Sequence, residues 1–176
     1  LWRQVLDAVP GARLLVKSRI FDHGEGRAMV AERLARCGIL AARVEMRGFS
    51  RGYLAEYGDV DIALDPFPYT GGITTCEALS MGVPVVTLAG ESHGARFGVS
   101  LLTNAHLPEL VAQTPVDYVR IAAGLASDPA TLRALRRNLR TMLRHAPLTD
   151  AAGYVHDVED AYRSIWAKFV RAAGTT

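Results

Sequence analysis

Cysteine, net charge and long apolar runs are all scarce in this chain of 176 residues. Cys37 and Cys76 are its only cysteines. They show neither metal-ligand spacing nor the repeated pattern of a disulfide framework, which predicts reduced thiols in a cytoplasmic protein. The net charge is only +2, with acids scattered among the basic residues, which argues against nucleic acid as a main partner. No apolar run reaches the roughly 20 residues that cross a bilayer, so no membrane partner is expected.

What the chain does contain is the pattern of an α/β fold. Short β-branched or leucine-rich runs alternate with helical stretches over the first two-thirds of the sequence. This alternation predicts a parallel sheet with helices on both faces. The expected strands are 14–16, 44–46, 60–64 and 84–88, and the expected helices are 26–37, 51–57, 74–81 and 95–102.

From Val116 onward the pattern predicts helices only, three in number. The segment 115–176 is expected to pack on the rest, so that residues 1–176 form one domain, and the alternative that the tail is a strap to a missing neighbour stays open. The last helix carries the widest apolar stripe, made by Tyr154, Val158, Ala161, Tyr162, Ile165, Trp166 and Phe169. Five arginines between Arg133 and Arg144 also recur at helical spacing, and a solvated helix face is the favoured interpretation.

The segment 61–77 predicts an anion site. It reads as a strand, a loop rich in proline and glycine, and a helix that begins directly after the loop. Ligands in open α/β sheets lie beyond the carboxyl ends of strands, and a helix N-terminus offers free N–H groups. Gly71 and Gly72 let the backbone approach a phosphate, Thr74 and Thr75 supply hydroxyl donors, and Glu77 is placed to accept from ribose hydroxyls.

Two other interpretations of this region compete. Thr74 or Thr75 is also typical of an ordinary helix N-cap, with Glu77 as its capping-box partner. Asp59 and Asp61 have the spacing of an Asp-x-Asp metal motif. The helix N-terminus is an alternative to such a metal, because it supplies the positive end that a diphosphate needs.

The chain resembles the C-terminal catalytic region of the O-linked N-acetylglucosamine transferase and Spindly family, including bacterial members that follow tetratricopeptide repeats. The resemblance covers nearly the whole chain, and the segments that carry it best are 61–69 (DIALDPFPY), 71–79 (GGITTCEAL) and 81–87 (MGVPVVT). It implies the second Rossmann-like domain of a GT-B glycosyltransferase, ending in a helical tail. It also implies an enzyme that works without a metal, so no metal is expected.

The resemblance also implies roles for individual residues. Positions matching Gly72, Ile73, Thr74 and Glu77 contact the diphosphate and ribose in the family, although glycine and isoleucine stand where the animal enzyme has histidine and threonine. Arg96 matches a family arginine, and the loop that contains Gly48 and Phe49 is expected beside the base. Tyr53 stands where the family has a histidine, the family's phosphate lysine is expected upstream of Leu1, and Lys17 does not replace it.

The sequence is therefore interpreted as the donor-binding half of an enzyme that moves a sugar, N-acetylglucosamine from UDP-N-acetylglucosamine, to a protein serine or threonine hydroxyl. A GDP donor with a deoxyhexose stays open. So do a sugar-nucleotide epimerase and a non-catalytic nucleotide-binding or interaction module. The chain begins within an amphipathic helix and without methionine, which predicts a fragment. The resemblance implies that this fragment lacks its acceptor-facing domain, so we expect it to be inactive alone. No catalytic base is assigned.

Overall fold

A computed structural model describes residues 1–173, and their strands pair in parallel. Strand β1 (Leu14–Lys17) pairs with β2 (Val44–Arg47). Strands β3 (Ala63–Leu64), β4 (Val85–Leu88) and β5 (Val111–Ala112) form a second sheet with β4 in the middle. The α/β fold class predicted from the sequence is confirmed, although the strands hydrogen-bond as two sheets.

The described residues form seven α-helices. They are α1 (Trp2–Ala8), α2 (Gly24–Arg36), α3 (Ile73–Ser80), α4 (Phe97–Asn104), α5 (Pro115–Ala126), α6 (Pro129–Arg144) and α7 (Ala151–Ala173). The helix expected at 51–57 is a 3₁₀ helix, Tyr53–Asp59. The third strand is shorter than expected because Val60 still closes that 3₁₀ helix through its N–H bond to the Tyr57 carbonyl. Strand β5 was missed, since two residues carry too little periodicity to predict a strand.

The core is centred on β4. All four of its residues are buried, and because successive side chains of a strand point to opposite faces, both faces of β4 are covered. Helices α3, α4 and α5 contact it. Leu79, Leu102 and Tyr118 from these helices are fully buried in the same cluster. A smaller cluster joins Leu6, Leu14, Leu34 and Ile39 beneath β1 and α2.

Two of the three C-terminal helices pack as expected. Thr114 and Asp128 cap α5 and α6 with their side chains, α5 contacts β4 and β5, and α6 contacts α3 and α5. The expectation that the last helix also packs on this unit is wrong: no residue of α7 is buried, and Tyr154, Tyr162 and Trp166 are 70%, 69% and 65% exposed. Helical periodicity identifies an apolar face without showing what covers it.

No helix among residues 1–173 is both long and apolar enough to cross a membrane.

Candidate functional site

The loop that joins β3 to α3, residues 66–72, ends in an uncapped helix N-terminus. Gly72 is the N-cap residue of α3, and no side chain caps this end. The alternative in which Thr74 or Thr75 serves as N-cap with Glu77 as its capping-box partner is therefore wrong. The sequence pattern did not distinguish Gly72 from Thr74 or Thr75 as the N-cap, because the N-cap is the last residue before the backbone becomes helical. The Thr75 N–H donates to the Gly72 carbonyl at 3.1 Å, so the N–H groups of Gly72, Ile73 and Thr74 and the positive end of the helix dipole are the groups that can meet an anion.

Three side-chain oxygen atoms lie close to Gly71. A Cβ placed on Gly71 would lie 2.7 Å from Thr75 Oγ1, 2.9 Å from Thr74 Oγ1 and 3.2 Å from an Asp65 carboxylate oxygen. Thr75 is 3% exposed, whereas Thr74 and Ile73 are exposed on the first turn. The structure thus places both threonine hydroxyls close to Gly71, where any side chain would collide with them, whereas a Cβ on Gly72 would meet nothing within 4 Å.

Glu77 lies one turn farther along α3 and already has a protein partner. The Tyr53 hydroxyl donates to Glu77 Oε1 at 2.5 Å, and this bond, followed by burial, raises the pKa of Tyr53. The neighbouring Tyr57 hydroxyl donates to the Thr74 carbonyl at 3.3 Å. The 3₁₀ helix Tyr53–Asp59 therefore lies against α3 and orients the carboxylate that was expected to meet a ribose.

A second loop, 89–96, packs against the 66–72 loop. The Thr70 hydroxyl donates to the Gly94 carbonyl at 3.0 Å and accepts from the N–H of Gly98 at 3.3 Å. Arg96 is exposed at the N-terminus of α4 and donates to the Gly90 carbonyl at 3.0 Å. The structure thus places Arg96 in the loop that packs against the 66–72 loop.

Gly48 and Phe49 follow β2 and are fixed by side chains from β1 and from the turn after it. Lys17 Nζ donates to the Gly48 carbonyl at 2.8 Å, and the Phe49 N–H donates to Asp22 Oδ1 at 2.8 Å. The Arg19 guanidinium lies 4.5 Å from the centre of the Phe49 ring, which is about half exposed. This loop therefore offers an aromatic ring in a fixed position.

Lys17 connects this loop to the 3₁₀ helix that carries Tyr53. Its ammonium also donates to Ser50 Oγ at 3.0 Å and to Glu56 Oε1 at 2.8 Å. The bond from Lys17, followed by one from Ser50, lowers the pKa of Glu56 to about 2. Gly48 and Glu77 are thus both bonded to side chains of residues that contact or belong to the 3₁₀ helix Tyr53–Asp59, Gly48 through Lys17 and Glu77 through Tyr53.

The Asp-x-Asp pair is divided in the structure. Asp59 Oδ2 accepts from Arg47 at 2.8 Å, and bonds to Glu45 and Asp59 raise the pKa of the Arg47 guanidinium. Asp59 closes the 3₁₀ helix, and neither aspartate lies in a strand. The Asp59 carboxylate therefore forms an ion pair with Arg47 of β2.

Comparison with known proteins assigns the chain to a family. The model of glycosyl transferase family 41 matches residues 1–158. The chain belongs to glycosyl transferase family 41. The resemblance stated from the sequence motifs is confirmed by this match.

The relatives of this family 41 chain carry transferase names. A protein of Hordeum vulgare, named a probable UDP-N-acetylglucosamine–peptide N-acetylglucosaminyltransferase SPINDLY, is 40% identical over 96% of the chain and 18% of the relative. Its counterpart in Arabidopsis thaliana is 38% identical over 97% of the chain and 19% of the relative. A solved O-GlcNAc transferase variant of Thermobaculum terrenum is 39% identical with a TM-score of 0.87, over 98% of the chain and 34% of that structure.

These matches establish the fold of a C-terminal GT-B domain. The chain spans about a fifth of the length of the curated relatives and about a third of the solved structure.

Two residues of this family 41 chain that shape the site were missed in the sequence. Arg136 of α6 donates to the carbonyls of Tyr57 at 2.8 Å and Val60 at 2.6 Å, so the interpretation of its stripe as a solvated face is wrong at this position. Asp65 is buried below the 66–72 loop, 4% exposed. An aspartate directly after a buried strand was a signal for Asp65, whereas nothing local identifies Arg136, because its acceptors lie more than 70 residues away.

Proposed function

We propose that this chain is the donor-binding part of a glycosyltransferase that moves N-acetylglucosamine from UDP-N-acetylglucosamine to serine or threonine hydroxyls of proteins. The observation that carries the proposal is the N-terminus of α3, which no side chain caps and where the hydroxyls of Thr74 and Thr75 lie close to Gly71, in a chain of family 41. The printed names of the relatives supply the donor and the acceptor class.

In this proposal the nucleotide lies along the first turns of α3. The diphosphate accepts hydrogen bonds from the N–H groups at Gly72 and Ile73 and from the hydroxyls of Thr74 and Thr75, where the helix dipole favours negative charge. Glu77 accepts from the ribose with Oε2, because Tyr53 occupies Oε1. The Gly48–Phe49 segment flanks the base, and Arg96 approaches the donor from the adjacent loop.

The proposed contribution to catalysis is electrostatic. Negative charge grows on the departing diphosphate as the sugar leaves, and N–H groups that already point at this position stabilise it without reorganising. No metal is proposed, and no residue of this chain is proposed as the general base. In this view the group that accepts the proton belongs to the rest of the enzyme or to the substrate.

The acceptor side of the cleft is proposed to come from the remainder of the full-length protein, with an acceptor-facing domain and tetratricopeptide repeats, in the cytoplasm. The exposed stripe of α7, which includes Tyr162, Trp166 and Phe169, is a suitable contact surface for that remainder, because contiguous exposed apolar side chains are typical of interaction sites. The 176-residue chain alone is then expected to fold without transferring sugar.

Calorimetric titration of the full-length protein with UDP and with uridine tests the donor site. Thr75→Val removes a hydroxyl while keeping shape, so UDP affinity should fall by about 1–2 kcal/mol if the hydroxyl donates to a charged oxygen. Uridine affinity should stay unchanged. Glu77→Ala should weaken UDP and uridine by the same factor, because the ribose is common to both.

Thr141→Val serves as the control, since Thr141 is exposed on α6 and undergoes the same chemical change. Folding of each variant is checked by circular dichroism. Unchanged UDP affinity in both Thr75→Val and Glu77→Ala would mean that the N-terminus of α3 is not the donor site. Transfer of N-acetylglucosamine to peptide by the full-length protein tests the reaction itself.

A further inference from the structure

The carboxylate of Asp65 lies at the base of the 66–72 loop, and each of its oxygens accepts one hydrogen bond. Oδ1 accepts from the Gly71 N–H at 2.6 Å, and Oδ2 accepts from the Thr87 hydroxyl of β4 at 2.6 Å. The backbone of the same residue is held as well, because the Tyr118 hydroxyl donates to the Asp65 carbonyl at 3.0 Å. Asp65 therefore ties the last part of the loop to the central strand.

These contacts exclude a direct chemical role for the carboxylate. Asp65 is 4% exposed, both of its oxygens are occupied, and Gly98 packs so closely that a Cβ there would lie 2.4 Å from Oδ2. A general base must reach the proton that it removes, and Asp65 faces the interior of the domain. Burial raises the pKa of this carboxyl group, whereas the bonds from Thr87 and Gly71 oppose that rise.

We propose that Asp65 is a positioning residue that fixes Gly71 in the conformation that receives the donor diphosphate; this inference rests on the proposed function. Asp65 directly precedes the 66–72 loop and Gly71 lies six residues after it, so their bond closes the loop across its base. An oxygen of Asp65 and the hydroxyls of Thr74 and Thr75 all lie close to Gly71. A shift of Gly71 therefore changes its distance from both threonine hydroxyls.

The geometry separates the positioning role of Asp65 from its charge. In Asp65→Asn, the amide oxygen still accepts from the Gly71 N–H, and the amide NH₂ donates to the Thr87 hydroxyl, which is also an acceptor. The loop contact survives while one negative charge beside a dianionic ligand disappears. In Asp65→Val, the side chain is apolar and branches at Cβ, so the Gly71 N–H loses its acceptor.

The test is calorimetric titration of the full-length protein and its variants with UDP and with uridine. Asp65→Val is expected to weaken UDP about tenfold while uridine affinity changes less than twofold, because only the diphosphate contacts the loop. Asp65→Asn is expected to bind UDP as tightly as the wild type or more tightly. Thr87→Val, which removes only the hydrogen bond to Oδ2, is expected to weaken UDP binding about threefold. This variant tests the role of Asp65 if Asp65→Val does not fold.

Several results would overturn the inference. The first is wild-type UDP affinity in Asp65→Val or, if that variant does not fold, in Thr87→Val. The second is an equal loss of affinity for UDP and for uridine, which indicates a general structural role. The third is a loss of UDP affinity in Asp65→Asn as large as that in Asp65→Val, which indicates that the charge of Asp65 is responsible. If the wild-type protein binds UDP no more tightly than uridine, the proposed phosphate site itself fails, and the inference fails with it. Retained discrimination in Asp65→Val leaves the proposed function intact and removes only the role of Asp65.

Discussion

Replacement of Arg136 by methionine tests how α6 supports the donor site. The Arg136 guanidinium bonds to the carbonyls of Tyr57 and Val60 at 2.8 and 2.6 Å and reaches that of Gly58 at 3.4 Å. Methionine keeps the aliphatic stem and a similar helix propensity but removes every one of these donors. The 3₁₀ helix that carries Tyr53 then loses its attachment at the C-terminal end.

The expected loss follows from the two short bonds. Hydrogen bonds that involve a charged group contribute about 1.5–3 kcal/mol each, but the Tyr57 and Val60 carbonyls are only partly buried and regain water. We therefore expect the free energy of unfolding to fall by about 2 kcal/mol in Arg136→Met. For a chain of this size, such a change lowers the melting temperature by about 4–8 °C.

Urea unfolding of the 176-residue chain, followed by circular dichroism, measures this change. Arg137→Met is the matched control, because Arg137 is the next residue of the same helix and is exposed. The control should change the free energy of unfolding by less than about 0.5 kcal/mol. If Arg136→Met and Arg137→Met unfold at the same urea concentration, the bonds of Arg136 do not stabilise the 3₁₀ helix, and the reasoning is refuted.

Two further predictions concern Glu56 and Trp166. The pKa of Glu56 is lowered from 4.5 to about 2, chiefly by Lys17, so its contribution to stability is present above pH 4.5 and is lost as pH falls towards 2. Glu56→Gln should be less stable than the wild type at pH 7 in urea unfolding, with a difference that shrinks between pH 4.5 and 2; a constant difference contradicts the ion pair. Trp166→Ala should leave the thermal midpoint of the 176-residue chain unchanged, because its side chain is exposed, whereas Leu102→Ala, at a fully buried position, should cost about 2–5 kcal/mol. A comparable loss in both variants would mean that α7 is docked.

The sequence alone was sufficient for the features that depend on neighbouring residues. The start of α3 was placed within one residue, because glycines before a helix and hydroxyl residues in its first turn are local signals. The alternation of strands and helices predicted the α/β class, since each element is encoded by its own periodicity. Motifs around Gly71 and Thr75 were sufficient to state the family resemblance.

Only the tertiary structure decided which distant groups meet. The bond between Tyr53 and Glu77 joins a 3₁₀ helix to α3, and Arg136 finds its acceptors across the chain, because backbone carbonyls carry no sequence signal. The apolar stripe of α7 predicted a buried face, yet burial requires a neighbour, and periodicity does not specify one. Asp65 shows the same division: the sequence places it after a strand, but only packing brings its oxygens to Gly71 and Thr87.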